Sequence, residues 1–221
     1  MKGVTSKLNY HFSAYLYRLQ YIQRWSLMRS TAPENVAQHS FQVALLAHML
    51  CTIGNAHFGR SLNADRASTM ALFHDATEVF TGDIATPVKH NNSRLLSSFR
   101  EMEQVAADRL AAMIPPELSA VYAPLLQPHT SPPGSEDAGL LRYVKAADVL
   151  DAYLKCVWEV AAGNREFAAA REQTAAKLHV LEMPEMAYFL EHMAPGFEMS
   201  LDELSSSASQ VQSAGQPEPI E

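Results

Sequence analysis

The stretch at residues 71–83, ALFHDATEVFTGD, sets His74, Asp75, Glu78 and Asp83 inside an apolar helical pattern. An imidazole and a carboxylate are costly to bury side by side unless they share a proton or hold a cation. At helical pitch His74 and Glu78 are i and i+4 on one face. Ala67 and Ala71 precede them on it, so small side chains leave room there. A His-Asp dipeptide alone is weak evidence, since this composition produces one by chance about a third of the time. The alternative is a core histidine bonded to a glutamate. Two further groups enlarge the set. His39 shares its helix face with Val36 and Val43 and should point inward, while Asp148 sits among Ala146, Ala147 and Ala152, where a carboxylate without a partner would be very costly. His39, His74, Asp75 and Asp148 together offer two imidazoles and two carboxylates. That set suits a divalent transition metal (Co, Mn, Cu, Fe or Zn) and suits magnesium alone poorly.

These side chains must be brought together by helices, because the chain shows helical spacing throughout and almost no two-residue alternation. Phe12, Leu16, Leu19 and Gln23 mark a first helix that Arg24 and Trp25 interrupt. Thr31, Ala32, Pro33 and Glu34 have the form of a capping box leading into a long core helix to about Gly54, which carries His39. Asn63 can cap a third helix over about 64–80, stopped by Gly82 and Pro87, so that His74 and Glu78 lie in one continuous element. Helices over about 93–113 and 117–126 follow, then a loop at 129–139. The segment LLRYVKAADVLDAYLKCVWEVAAG resumes the pattern to Gly163 and carries Asp148. Two helices over about 165–182 and 184–193 complete an all-α bundle. Residues 1–204 read as one domain and 205–221 as a disordered tail, too poor in apolar surface to offset its ordering entropy.

Composition narrows the function classes. The 221 residues, 48% hydrophobic, suffice for a single core, and a net charge of -7 argues against a nucleic-acid polymer or an anionic membrane as partner. Cys51 and Cys156 lie in apolar helical surroundings without a CxxC pair and read as buried free thiols. We find no secretory pattern and no run of about 18 apolar residues. A cytoplasmic protein is expected.

The segments RWSLMRSTAPENVAQHS at 24–40, ALFHDATEVFTGDIATPVK at 71–89 and AADVLDAYLK at 146–155 resemble the signature regions of the bacterial 5'-deoxynucleotidases of the HD-domain phosphohydrolase superfamily. The similarity runs from about Phe12 to Leu204. It implies a single HD-domain helical bundle, a homodimer and hydrolysis of deoxyribonucleoside 5'-monophosphates to deoxynucleoside and phosphate. It implies His39, His74, Asp75 and Asp148 as metal ligands, Glu78 as a catalytic residue, and Arg24 and Trp25 as substrate contacts. Asp75 and Asp148 would also border the substrate, and the loop of Asp83, Ile84, Ala85 and Thr86 would form part of the nucleotide pocket. The chain departs from the family pattern at Ala85, where relatives commonly have proline, and at Gln38, where an acidic residue is usual.

The residues agree with that chemistry. Imidazole and carboxylate ligands hold a metal that activates water and neutralises phosphate charge. Glu78 could take a proton from that water or give one to the leaving 5'-oxygen. Arg24 can grip phosphate with its planar fork, and an indole at Trp25 can wall the sugar and crowd a ribose 2'-hydroxyl. Asp151 reads as a neighbour of the ligand set or a solvated acid, and Lys89 and Lys155 as possible phosphate neighbours. The rival readings are an HD phosphohydrolase of triphosphates or cyclic nucleotides, and a non-catalytic helical module stabilised by metal.

Overall fold

The computed structural model describes residues 9–89, 92–127 and 131–214. Helix α1 (Phe12–Leu16) tightens into a 3₁₀ segment, Tyr17–Tyr21, rather than continuing to Gln23. Ile22 is already extended, because Gln23 pairs with Asn35 in an isolated antiparallel bridge that closes the intervening loop. Helix α2 (Val36–His57) starts four residues later than the expected capping box at Thr31 predicts. Asn35 is the cap and accepts from the Gln38 amide, while the Gln38 side chain returns to the Asn35 amide. Thr31 and Glu34 are unavailable for capping, since their side chains bond elsewhere.

Asn63 caps α3 (Ala64–Phe73) as its sequence predicts. The expected continuous helix to Phe80 is broken. From His74 to Phe80 the amides of His74, Ala76, Glu78, Val79 and Phe80 bond three residues back instead of four, and α4 (Glu78–Thr81) is a separate short element. Gly82, at φ 70, ends it in the left-handed region, with open space around its α-carbon. Helices α5 (Thr86–Lys89), α6 (Ser93–Ala111), α7 (Ser119–Leu126) and α8 (Glu136–Ala161) follow. Helix α8 begins inside the loop expected at 129–139, because Ser135 caps it and Glu136 and Asp137 favour its first turn. A 3₁₀ turn, Arg165–Phe167, opens α9 (Ala168–Val180), and α10 (Pro184–His192) and α11 (Leu201–Ala214) end the described chain. Helix α11 extends past the expected boundary at 204, with Ser205, Ser206 and Ser207 hydroxyls donating to carbonyls four residues back. The remainder of the expected tail, 215–221, lies outside the described residues.

Among the described residues the fold is all-α, with no strand beyond the isolated bridge. The main core is built where α2, α3 and α8 meet, from Val43, Ala47, Leu50, Ala67, Ala71, Ala147 and Leu150, all essentially inaccessible. Alanines dominate the α3 contact, so the three backbones approach closely and the polar residues among them are carried inward. A smaller cluster of Phe12, Ala76, Leu110, Ile114 and Leu126 supports the break after α3. By length and composition α2 could cross a bilayer, contrary to the expectation that no segment could. It is the central core helix of the bundle and carries a buried histidine.

Candidate active site

His39 projects from the first turn of α2 and is fully buried. Its Nδ1–H donates to Asp151 Oδ2 at 2.6 Å, which fixes the tautomer and leaves the Nε2 lone pair free. His74 closes α3, where its Nδ1–H donates to the Ala71 carbonyl at 2.7 Å, an arrangement the tight turn at this point makes possible. It too presents Nε2 as a lone pair. The two rings stand 5.1 Å apart, and both Nε2 atoms are buried with no hydrogen-bond partner.

Two carboxylates face these lone pairs. Asp75 Oδ2 lies 3.4 Å from His39 Nε2 and 3.2 Å from His74 Nε2, and Asp148 Oδ1 lies 3.2 Å from His39 Nε2. The ligating atoms of His39, His74 and Asp148 fall within 4.8 Å of one another. Two buried imidazole lone pairs with converging, partly exposed carboxylate oxygens fit a nitrogen- and oxygen-liganded cation. The electrostatics agree in direction. Burial works against charge on His39, but the carboxylates of Asp148, Asp151 and Asp75 outweigh it and raise the imidazole well above its usual range. Burial likewise opposes charge on Asp75, and the His74 and His39 imidazoles overcome it, holding that carboxyl well below the usual range. The cluster attracts positive charge. On the opposite side of His39, Glu34 and Asp151 form a second, wholly buried acidic pair around Nδ1.

Arg24 enters from the bridge-closed loop. Its Nε donates to Glu34 Oε1 at 2.7 Å, and Nη1 lies 3.7 Å from Asp75 Oδ2. Burial disfavours its charge, but Glu34, Asp75, Asp148 and Asp83 more than restore it. The next residue, Trp25, has φ 58, a left-handed conformation rare for a bulky side chain. Its backbone amide faces the Asp83 carboxylate, its ring lies 5.3 Å from that of Phe167, and its indole N–H is buried without a partner. Glu78 begins α4, one short turn beyond Asp75, rather than one helical turn above His74 on a common face. Burial first, then the charges of Asp75 and Asp83, push its carboxyl up to about 9 against the pull of Arg24 and His39.

The geometry thus gathers His39, His74, Asp75, Asp148, Arg24, Glu78 and Asp83. Ile84 and Ala85 are half-buried, and Ala85 acts through its carbonyl, which accepts from Val88 and Lys89 to start α5. The Thr86 side chain lies outside the described residues. Lys155 is not a phosphate neighbour: the residue is 5% exposed and its ammonium is consumed by the Ala32 carbonyl and Glu159. Lys89 pairs with Glu103. Sequence reasoning missed Glu34 and Glu159. The spacing of Asp148, Asp151, Lys155 and Glu159 on one face of α8 was the signal that could have found the second.

A family model described as 5'-deoxynucleotidase YfbR-like matches residues 11–197. A 5'-deoxynucleotidase of Vibrio parahaemolyticus is 47% identical over 195 residues, covering 88% of this chain and 98% of the relative. The 5'-deoxynucleotidase YfbR of Escherichia coli O1:K1 is 46% identical, covering 88% and 96%. Among solved structures, an HD-domain phosphohydrolase of Listeria innocua superposes with a TM-score of 0.71 at 23% identity, covering 93% of this chain and 98% of that one, a likeness of fold.

Proposed function

Because the chain belongs to the YfbR-like 5'-deoxynucleotidase family, and so is a metal-dependent hydrolase of deoxyribonucleoside 5'-monophosphates, we propose how its own residues divide that work. His39, His74, Asp75 and Asp148 hold a divalent transition metal, with Co, Mn, Cu, Fe and Zn all compatible with the donor set. When bound, the metal supplies Lewis-acid charge for the phosphate oxygens and for activating water. The observation that carries this reading is the pair of buried, unpartnered Nε2 lone pairs converging with two carboxylates.

Arg24, aimed by Glu34 and beside Asp75, grips the phosphate. Glu78 gives a proton to the leaving 5'-oxygen, a role supported by its raised carboxyl and its unpartnered Oε2. Asp83, Ile84, Ala85 and Thr86 edge the nucleotide pocket, and Trp25 walls the sugar so that a 2'-hydroxyl is crowded. Residues 1–204 form the catalytic domain, and 205–221, expected as a disordered tail, lie outside it. We also place the protein in the cytoplasm as a homodimer. Phe41 and Leu45, exposed one turn apart on α2, support self-association.

The test is a nucleotide panel on metal-stripped and metal-reloaded protein. Metal-dependent hydrolysis of dAMP, weaker hydrolysis of AMP and near-zero turnover of 3'-phosphates are expected. Equal rates on dATP or a cyclic dinucleotide would reject the monophosphate assignment.

A further inference from the structure

Helix α8 carries Asp148, Asp151, Lys155 and Glu159 at i, i+3, i+7 and i+11, the spacing of a single face, and the last three are buried. Asp148 and Asp151 bond within the histidine cluster. Lys155 and Glu159 do not. Glu159 stands about 16 Å along the axis from Asp148 at the helical rise. It is 1% exposed, yet it accepts from the Thr31 amide at 2.9 Å, the Thr31 hydroxyl at 2.7 Å, the Ala32 amide at 3.2 Å, Asn164 Nδ2 at 2.8 Å and Lys155 Nζ at 2.5 Å. Lys155 donates onward to the Ala32 carbonyl at 2.5 Å, and Asn164 to the Arg29 carbonyl at 2.7 Å. Residues 29–32 are therefore fastened at both backbone donors and backbone acceptors to the C-terminal end of α8 and the turn after it.

That fastened segment closes the loop carrying Arg24 and Trp25. The same turn supplies Phe167, fully buried, whose ring meets Trp25 at 5.3 Å and lies 5.7 Å from the Lys155 ammonium. A bulky residue at φ 58 persists only where its surroundings over-determine it. An anion with five donors is much more than a helix end needs, and it sits where that over-determination is required. We propose that Glu159, with Lys155 and Asn164, is a positioning residue that sets the Arg24–Trp25 turn, and through it the discrimination between deoxyribo- and ribonucleotides, without touching substrate or metal. The selectivity half of this proposal rests on the reading of Trp25 as the sugar wall.

The experiment uses full-length, metal-loaded protein carrying Trp158→Phe, which leaves Trp25 as the sole tryptophan. Glu159→Gln and Asn164→Ala are compared with this parent for metal content, acrylamide quenching of Trp25, and kcat and KM on dAMP and AMP. Metal content and kcat should stay within about twofold, KM for dAMP should rise about three- to tenfold, and the dAMP-to-AMP ratio of kcat/KM should narrow by a similar factor. Quenching of Trp25 should increase. Unchanged quenching and unchanged KM in the folded variants would overturn the proposal, as would a fall in kcat at constant KM, which would move Glu159 into the chemistry. If Glu159→Gln does not fold, Asn164→Ala, altered in an exposed turn, decides by the same readings. A parent protein that does not discriminate between the sugars removes the selectivity half together with the sugar-wall reading, and the quenching result then decides the positioning half.

Discussion

His39 can offer Nε2 to a metal only while something behind it holds the proton on Nδ1. Asp151 does so at 2.6 Å in a dry setting. Asp151→Ala deletes that acceptor and leaves a buried N–H unpaired, at a cost of about 1–3 kcal/mol to the fold. The nearest substitute, Glu34 Oε1, is 3.9 Å from Nδ1 and already engaged by Arg24 at 2.7 Å, so the ring is free to turn and to change tautomer. Losing the outer partner of a ligating histidine lowers metal affinity about 10- to 100-fold. With no substitute acceptor in reach the upper half of that range is expected, about 2–3 kcal/mol of binding energy. Asp151→Asn keeps an oxygen acceptor but not the anion and should fall between the two. Metal affinity is read by chelator competition, with Zn and Co in turn, on protein whose folding is checked by its melting transition. A folded Asp151→Ala protein with a Kd within twofold of the parent would refute the reasoning, and so would an Asp151→Asn protein weaker than the alanine variant.

Glu78→Gln should retain metal and KM for dAMP while kcat falls about 10²- to 10⁴-fold; near-native turnover would remove Glu78 from proton transfer. Trp25→Ala should narrow the dAMP-to-AMP ratio of kcat/KM, by about 10-fold or more, because an indole crowding one hydroxyl is worth about 1–3 kcal/mol; an unchanged ratio places the discrimination elsewhere. Glu159 is opposed by burial but held well below its ordinary value of 4.5 by Lys155, Thr31 and Asn164, so its contribution to stability is complete above about pH 4.5 and is lost as pH falls through the lower folded value. The difference in Tm between parent and Glu159→Gln should accordingly be constant from pH 7 to about 5 and shrink below about 4.5, and a difference that grows on acidification would contradict the sign.

The chemical set was readable before the fold because side-chain type restricts it. Few arrangements other than a cation site justify two histidines and two aspartates among alanines. Periodicity likewise located α2 and α8, whose apolar faces form the core. The turn at His74 was not readable, since ALFHDATEVF contains no glycine or proline and its tighter winding comes from the packing of Ala76 beneath it and the His74 bond to Ala71. Asp148 and Asp151 are both acids on one face of one helix, and only packing decides that the second stands behind His39. Two capping boxes, Thr31 to Glu34 and Asn35 to Gln38, compete locally, and the competition is settled by Arg24, which takes Glu34, and by Glu159, which takes Thr31. The α8 spacing marks Glu159 as part of a polar face, but what it binds was invisible for a related reason. Its partners at Thr31 lie 128 residues away, and no local pattern encodes a contact of that span.

His39, His74 and Asp148 stand on three helices that share one apolar core, so separating them requires an opening close in free energy to global unfolding. The loop with Arg24 and Trp25 has a different anchorage. Leu27 is 71% exposed, and the segment is secured by polar bonds with little apolar burial. Amide exchange should therefore be slowest along α2 and α8 and faster in the loop, with Thr31 and Ala32 its most protected amides, and warming should release the loop while the histidines keep their places. Substrate choice and turnover then have separate thermal limits: the enzyme becomes permissive toward the sugar before it becomes inactive.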